Sequence, residues 1–190
     1  MVPSDPAARH RAVAGVFTER VLGTRDWTAA APVPGWVARD VVDHLVGWLP
    51  GFLATGSAVR LPPGPPADVD PVGAWRVHAD GVQAVLDDPA TANAVFSHVH
   101  TGTLPLATAV DRFYTADVFL HTWDLARATG QDPSLDPDFC GDLFAGMEPL
   151  EELIRGSGQY GPRVPVAPDA DVQTRLLGFI GRDPTWAPPA

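Results

Sequence analysis

The sequence predicts an all-α protein, because three observations point the same way. Four long segments place their apolar residues at helical spacing: 6–22, 36–55, 71–87 and 105–129. The stretches between them are rich in proline and glycine, which end helices and form loops. The 190 residues show no internal repeat and no long linker, so we expect one domain over 1–190. A helical bundle is predicted over about 6–155, followed by a C-terminal extension, 156–190, with short additional helices.

The first two helices are predicted from their start signals and apolar stripes. Asp5 suits the N-cap of a helix over 6–22, and Pro6 suits its first position. A second helix is expected over 36–55, with Pro50 kinking or ending its first part. Its apolar stripe consists of Val37, Val41, Leu45 and Trp48.

The middle of the chain alternates between loop and helix signals. Residues 60–70 hold four prolines around one glycine and are predicted to be an extended loop. A third helix is expected over 71–87, starting at an Asp–Pro pair. Residues 90–104 alternate with period two, which is compatible with a short strand.

The longest helix is predicted to carry Pro105 in its first turn and to end at Gly130. A further helix is expected over 137–155, because its apolar residues recur at near-helical steps. A short helix is expected over 172–180, followed by a proline-rich tail. All the predicted secondary structure apart from the one short strand is therefore helical.

Asp117 and His121 lie one turn apart on the longest helix and face the same way. Burying a polar group without a partner costs on the order of 2–7 kcal/mol. A divalent ion is one possible partner, since carboxylate oxygen and imidazole nitrogen bind zinc, nickel or iron(II). The alternative is an Asp–His hydrogen bond that supports the helix. If the second helix is a neighbour, His44 joins the pair and completes a set that leaves coordination positions open.

Other polar residues receive structural interpretations. His98 and His100 would share one face of a strand and form a second, weaker metal candidate, although a solvated loop is favoured because no acidic residue is close by. Cys140 is the single cysteine, which excludes an intramolecular disulfide and suits a small helix residue.

Asp124 lies one turn beyond His121 and has two interpretations. It either orients His121 through the free ring nitrogen or forms a helix-packing ion pair with Arg127 or Arg39. The ion pair is the favoured interpretation. Trp123 points in a different direction and is interpreted as a core residue.

The composition excludes several classes of function. With 23 acidic and 13 basic residues the net charge is −10, and no basic cluster with aromatic residues is present, so nucleic acid is not an expected partner. No apolar run approaches the roughly 20 residues that span a bilayer, and the N-terminus lacks an apolar signal core. We therefore expect a cytoplasmic location and no membrane partner. The common nucleotide, serine-hydrolase and zinc-protease motifs are absent.

Three separated segments resemble one known family in the family's own order: PGWVARDVVDHLVGW (34–48), FLHTWDLARATGQD (119–132) and LLGFIGRDPTW (176–186). They are similar to the DinB-like metalloprotein superfamily, in the actinobacterial branch related to the metal-binding domain of mycothiol-dependent maleylpyruvate isomerase. The resemblance implies a four-helix bundle with a divalent metal. It also implies His44, Asp117 and His121 as ligands.

The resemblance carries functional expectations as well as departures. It implies a metal- and thiol-dependent transferase or isomerase with a small-molecule substrate and mycothiol as cosubstrate. In such an enzyme, Arg127 or Arg39 would bind carboxylates of the substrate or the thiol, or would form structural ion pairs. The alternative is a metal- or ligand-binding module without turnover. Asp117 stands where the isomerase has Glu, Thr122 stands where it has His, and 159–190 is too short for the isomerase's C-terminal domain. Metal identity among zinc, nickel and iron stays open, as does a homodimer.

Overall fold

The computed structural model describes residues 1–99, 102–156 and 158–189, and this part of the chain is mostly helical. One two-stranded antiparallel hairpin, β1 and β2, interrupts the helices. The elements in chain order are α1 Pro6–Gly23, α2 Ala38–Gly56, α3 Pro71–Asp87, α4 Pro89–Ala92, β1 Val95–His98, β2 Gly102–Pro105, α5 Leu106–Ala109, a π-helical turn Val110–Thr115, α6 Ala116–Thr129, α7 Pro137–Met147, a 3-10 turn Glu148–Leu150, α8 Glu151–Gly156 and α9 Val172–Phe179. The all-α prediction is confirmed at this level.

Aspartate–proline pairs begin several of these helices. In each pair the aspartate carboxylate accepts a hydrogen bond from a backbone N–H of the first turn, and the proline occupies a position where no N–H is needed. The four pairs are Asp5–Pro6, Asp70–Pro71, Asp88–Pro89 and Asp136–Pro137. The helix starts predicted at α1, α3 and α7 are therefore confirmed, and the pair that ends α3 also starts α4.

The long helices pack so that α1 and α2 each contact both α3 and α6. The core between them is apolar, with Phe17, Leu45, Trp75 and Leu125 at most 1% exposed. Further along the chain α7 packs against α9. This packing places α2 against α6, and the candidate site lies between these two helices.

Three helix boundaries differ from the sequence prediction. Helix α2 begins at Ala38, so Trp36 belongs to the preceding loop, and α2 continues through Pro50 as far as Gly56. Pro105 ends β2 instead of lying in a helical turn. The helix predicted over 137–155 is broken at Glu148–Leu150, because Pro149 cannot donate the backbone hydrogen bond that continues an α-helix.

The long helix near the middle of the chain is not regular, in contrast to its prediction. A π-helical turn, Val110–Thr115, separates α5 from α6. Such a turn holds one extra residue and changes which side chains face the interior, and it often occurs at functional sites. Here Tyr114 and Thr115 are fully buried, and Asp117 follows within the first turn of α6.

The period-two pattern within 90–104 does form a short strand, β1, which pairs with β2 from Val95↔Pro105 to His98↔Gly102. His98 therefore lies in a strand and not in the solvated loop favoured from its sequence. Phe96 is fully buried and its ring lies against the backbone of Gly56, where a Cβ would come within 2.4 Å of the ring. The hairpin is thus attached to the C-terminal end of α2. Within the described residues, no helix is long and apolar enough to cross a membrane.

Candidate metal centre

The three residues predicted as ligands meet between α2 and α6. The Nε2 atom of His44 lies 3.0 Å from Oδ2 of Asp117, and Nε2 of His121 lies 3.5 Å from Oδ1 of Asp117. One ligand atom from each of the three residues lies within 4.8 Å of the other two. Packing of α2 against α6 is therefore what brings His44 to the Asp117–His121 pair, as the sequence hypothesis required.

Aromatic side chains surround the three donors. The ring of Trp36 stacks on His121 with centroids 5.7 Å apart and also lies 5.2 Å from the ring of His44. The indole Nε1–H of Trp48 donates to Oδ2 of Asp117 at 3.0 Å. The two imidazole rings are 4.8 Å apart in an edge-to-face arrangement. The donors thus lie in a largely apolar surrounding, which strengthens electrostatic interactions between them.

The loop before α2 determines the position of Trp36. The backbone N–H of Ala31 donates to the carbonyl of Trp36 at 2.9 Å, and the N–H of Val37 donates to the carboxylate of Asp40 at 2.8 Å. These bonds hold the loop at the start of α2. Sequence reasoning missed Trp36 as a site residue, because its placement depends on the loop conformation.

Opposing effects act on the pKa values of the acidic and basic groups. Burial by itself would raise the pKa of Asp117, but the charge of His121 and the contacts with His44 and Trp48 outweigh it and lower that pKa. Burial would likewise lower the pKa of His121, but the nearby carboxylates Asp117 and Asp124 leave it raised. The cluster therefore stabilises positive charge next to two carboxylates, which is the electrostatic setting that a cation site requires.

Asp124 does not pair with Arg127 or Arg39, and this favoured prediction is wrong. Its Oδ1 and Oδ2 atoms accept from Nε and Nη2 of Arg182, both at 2.9 Å. The Oδ2 atom also lies 2.8 Å from Nδ1 of His121, although Nδ1–H is not aligned for a straight hydrogen bond. Of the two interpretations, the structure thus supports the contact between Asp124 and His121.

The two arginines that were predicted to bind carboxylates or pair with Asp124 have other contacts. Arg127 donates to the carbonyl of Trp186 and lies over the ring of Trp123, which is a core residue as predicted and 2% exposed. Arg39 lies 3.9 Å from its chain neighbour Asp40. Ionic contacts within the described residues therefore do not link either arginine to the three donors. Arg182 was missed because 58 residues separate it from Asp124 and no local pattern connects them.

Among the described residues, the other candidates His98 and Cys140 do not join the centre. His98 lies in β1 with its ring 5.5 Å from Phe52, and it belongs to no cluster of three metal-binding side chains within the described residues. His100 lies outside the described residues, so the His98–His100 hypothesis stays a prediction. Cys140 is fully buried, and burial raises the pKa of its thiol to about 12, which fits a small core residue.

The donor set fits a divalent ion in number, type and spacing. Metal bonds of about 2.1 Å at tetrahedral angles separate two donor atoms by about 3.4 Å. Asp117 contacts His44 through Oδ2 at 3.0 Å and His121 through Oδ1 at 3.5 Å, which is near this separation, and one donor atom from each residue lies within 4.8 Å of the other two. Two imidazoles and one carboxylate also leave coordination positions for exogenous ligands. The three side chains can therefore hold one divalent ion, and their role as ligands stays a prediction.

Two uncharacterized proteins of Mycobacterium tuberculosis are similar to the chain. Rv0738 of strain ATCC 25618 / H37Rv is 28% identical over 187 residues, covering 94% of this chain and 98% of that protein. MT0763 of strain CDC 1551 / Oshkosh gives the same values. No protein-family model and no solved structure match the chain.

Proposed function

We propose that the protein binds one divalent metal ion through His44, Asp117 and His121, within a DinB-like four-helix bundle formed by α1, α2, α3 and α6. The observation that carries this proposal is the convergence of the three donor atoms within 4.8 Å on two packed helices. The mutual packing of the four long helices agrees with the bundle that the sequence resemblance implies. Zinc, nickel and iron(II) all suit two nitrogens and one oxygen.

We further propose that the activity is a metal- and thiol-dependent transfer or isomerisation of a small molecule. A divalent ion held here supplies positive charge that lowers the pKa of a thiol such as mycothiol, so that the thiolate form is available near neutral pH. His44 and Asp117 have side chains 33% and 19% exposed, which leaves the donors accessible from solvent. Trp36 and Trp48 provide an apolar wall against which a small molecule would be held.

The alternative is a metal- or ligand-binding module without turnover. The contacts of Arg39 with Asp40 and of Arg127 with Trp186 favour it, because both guanidinium groups have partners within the chain. The two functions share the metal site and differ in whether a thiol binds to it.

Two measurements test the proposal in sequence. Elemental analysis of gently purified protein is expected to give about one divalent ion per chain, and a protein that stays metal-free after incubation with zinc, nickel and iron(II) would contradict the metal site. Thermal unfolding is then recorded with mycothiol, with and without metal. A stabilisation by thiol that requires metal supports the enzyme, whereas indifference to thiol supports the module.

A further inference from the structure

We infer that Arg182, in the C-terminal segment, is a positioning residue of the metal centre that acts on His121 through Asp124. The inference deepens the proposed metal binding and rests on it. Arg182 does not contact His44 or Asp117 in any hydrogen bond or ion pair of the described residues, so it is no candidate ligand. We expect Arg182 to act on the orientation of His121.

The contacts form a chain from Arg182 to the donor atom. The guanidinium of Arg182 binds both oxygens of Asp124 at 2.9 Å, in the paired geometry that holds a carboxylate in one orientation. Asp124 is 1% exposed, and its Oδ2 atom lies 2.8 Å from Nδ1 of His121. With Nδ1 next to this carboxylate, Nε2 is the nitrogen that faces Asp117. A carboxylate behind a metal-binding imidazole fixes its tautomer and ring orientation.

The backbone after α9 is built to direct Arg182 into the interior. Gly181 has φ +86°, and a Cβ there would lie 3.0 Å from backbone atoms of Gly161. Both facts favour glycine at this position. The N–H of Arg182 then donates to the carbonyl of Leu177 at 2.9 Å, which turns the chain back over the end of α9. The side chain of Arg182 consequently reaches α6 and is only 16% exposed.

The pairing with Arg182 also compensates the buried charge of Asp124. Asp124 is 1% exposed, and burying a charged carboxylate is costly unless it is paired and hydrogen-bonded. Both of its oxygens accept from Arg182, and this paired geometry leaves Oδ2 next to Nδ1 of His121. Arg182 therefore holds Asp124 against His121, which gives the pair a role beyond helix packing.

The experiment measures zinc affinity by competition with a chromophoric chelator, together with the circular dichroism of each variant. Arg182→Gln is expected to weaken zinc binding about tenfold, and Arg182→Lys to recover part of the loss. The matched control is Arg127→Gln, because Arg127 also contacts the C-terminal segment, at the carbonyl of Trp186, and does not contact Asp124. Its zinc affinity is expected to equal that of the wild type.

A double variant separates positioning from general stability. In an Asp124→Asn background, Arg182→Gln is expected to cause no further loss of zinc affinity, because Arg182 acts through Asp124. An equal additional loss in that background, or a folded Arg182→Gln variant with wild-type affinity, would overturn the inference. If Arg182→Gln does not fold, Arg182→Lys and the Asp124→Asn background provide the same comparison.

A metal-free readout distinguishes this inference from the proposed function. Nitrogen-15 NMR of His121 reports whether Nδ1 carries the proton, and the wild type is expected to show the Nδ1–H form. Arg182→Gln should shift that signal towards a mixture of tautomers, and Arg127→Gln should not. A wild type that binds no zinc but shows this difference would refute the function and leave the positioning role intact; an unchanged signal would refute the positioning role itself.

Discussion

Two pairs of histidines lie around two neighbouring residues of the run from the π-helical turn into α6, Tyr114 and Asp117, and the pairs differ in their partners. His44 and His121 contact Asp117, and His121 also contacts Asp124. His10 and His78 lie beside Tyr114 of the π-helical turn, with ring centroids 5.9 and 5.5 Å from it. We call the first pair with Asp117 the candidate metal cluster and the second pair with Tyr114 the inner cluster.

His10 and His121 have opposite pKa shifts at similar burial. His10 is fully buried and His121 is 6% exposed, yet the pKa of His121 is raised whereas burial lowers the pKa of His10 to about 4. Burial also lowers the pKa of His78 to about 4. The carboxylates of Asp117 and Asp124 cause this difference, because they favour positive charge on the imidazole of His121 and no such contact acts on His78.

Hydrogen bonding separates the clusters as well. Asp117 accepts from Trp48, whereas Nε2 of His10, Nε2 of His78 and the hydroxyl of Tyr114 have no hydrogen-bond partner among the described residues. His10 retains one long contact, 3.3 Å from its Nδ1 to the hydroxyl of Thr115. The following predictions test this contrast, from the largest expected effect to the smallest.

The largest effect is expected on metal content. The double variant His44→Ala/His121→Ala should lose stoichiometric binding altogether, because two of three ligands are removed, whereas Asp117→Asn should only weaken it. Helical content should survive, since the apolar stripes make the core. The control is His98→Ala/His100→Ala, measured by elemental analysis. Loss of metal in that control and retention in the first double variant would locate the site elsewhere.

Acid should destabilise the protein through the inner cluster. His10 and His78 have folded pKa values of about 4 against a usual value of 6.5, so the unfolded chain binds more protons between these pH values. Stability is therefore lost as pH falls from about 6.5 to about 4, by on the order of 3 kcal/mol for each histidine. Urea unfolding at several pH values measures this slope. His78→Phe should reduce it, and an unchanged slope would contradict the assignment.

Metal affinity should also decrease as pH falls, for a different reason. An imidazole must be neutral to bind a metal ion, and the carboxylates of Asp117 and Asp124 raise the pKa of His121 above its usual value of about 6.5. Zinc binding should therefore weaken as pH falls, beginning above about 6.5. Zinc titrations at pH 7.5 and pH 5.5 measure the change, and His78→Phe should leave it unaltered. Equal zinc affinity at both pH values would contradict histidine ligation.

Removing the charge of Asp124 should destabilise the metal-free fold by about 3 kcal/mol, because Arg182 is then buried without its partner. Asp124→Asn is compared with Asp111→Asn. Asp111 lies on the π-helical turn, and its substitution breaks the ion pair with Arg9 of α1. Asp111 and Arg9 are more exposed than Asp124, so a smaller loss is expected there. Thermal unfolding measures the stability of both variants. Equal losses of stability would show that the contact of Asp124 with Arg182 contributes no more than the ion pair of Asp111 with Arg9.

The smallest effect is expected from single hydrogen-bonding groups. Trp48→Phe removes the indole donor to Asp117 and should cost about 1 kcal/mol of stability. Tyr114→Phe removes a buried hydroxyl that has no partner among the described residues and should be neutral or slightly stabilising. Urea unfolding distinguishes the two variants. A clear destabilisation by Tyr114→Phe would mean that its hydroxyl is hydrogen-bonded in solution.

Much of the helical architecture could be predicted because its signals are local. The starts of α1, α3 and α7 follow from aspartate–proline pairs, whose capping involves only the first turn. The π-helical turn could not be predicted, because the apolar spacing before Asp117 also fits a regular helix. The loop position of Trp36 was also not predicted. Backbone hydrogen bonds keep Trp36 in the loop before α2, although its sequence position suits the start of a helix.

For the candidate site, the sequence by itself determined that Asp117 and His121 share one helical face, because the helix repeat places residues four apart on the same side. His44 could be added to this pair only if α2 and α6 are neighbours, which the sequence does not show. The packing of the core makes them neighbours. The partner of Asp124 was decided by the tertiary structure alone. Arg182 is 58 residues away, and it reaches Asp124 only because Gly181 turns the chain back over α9. Local spacing carries no information on such a contact, since it depends on how distant segments pack.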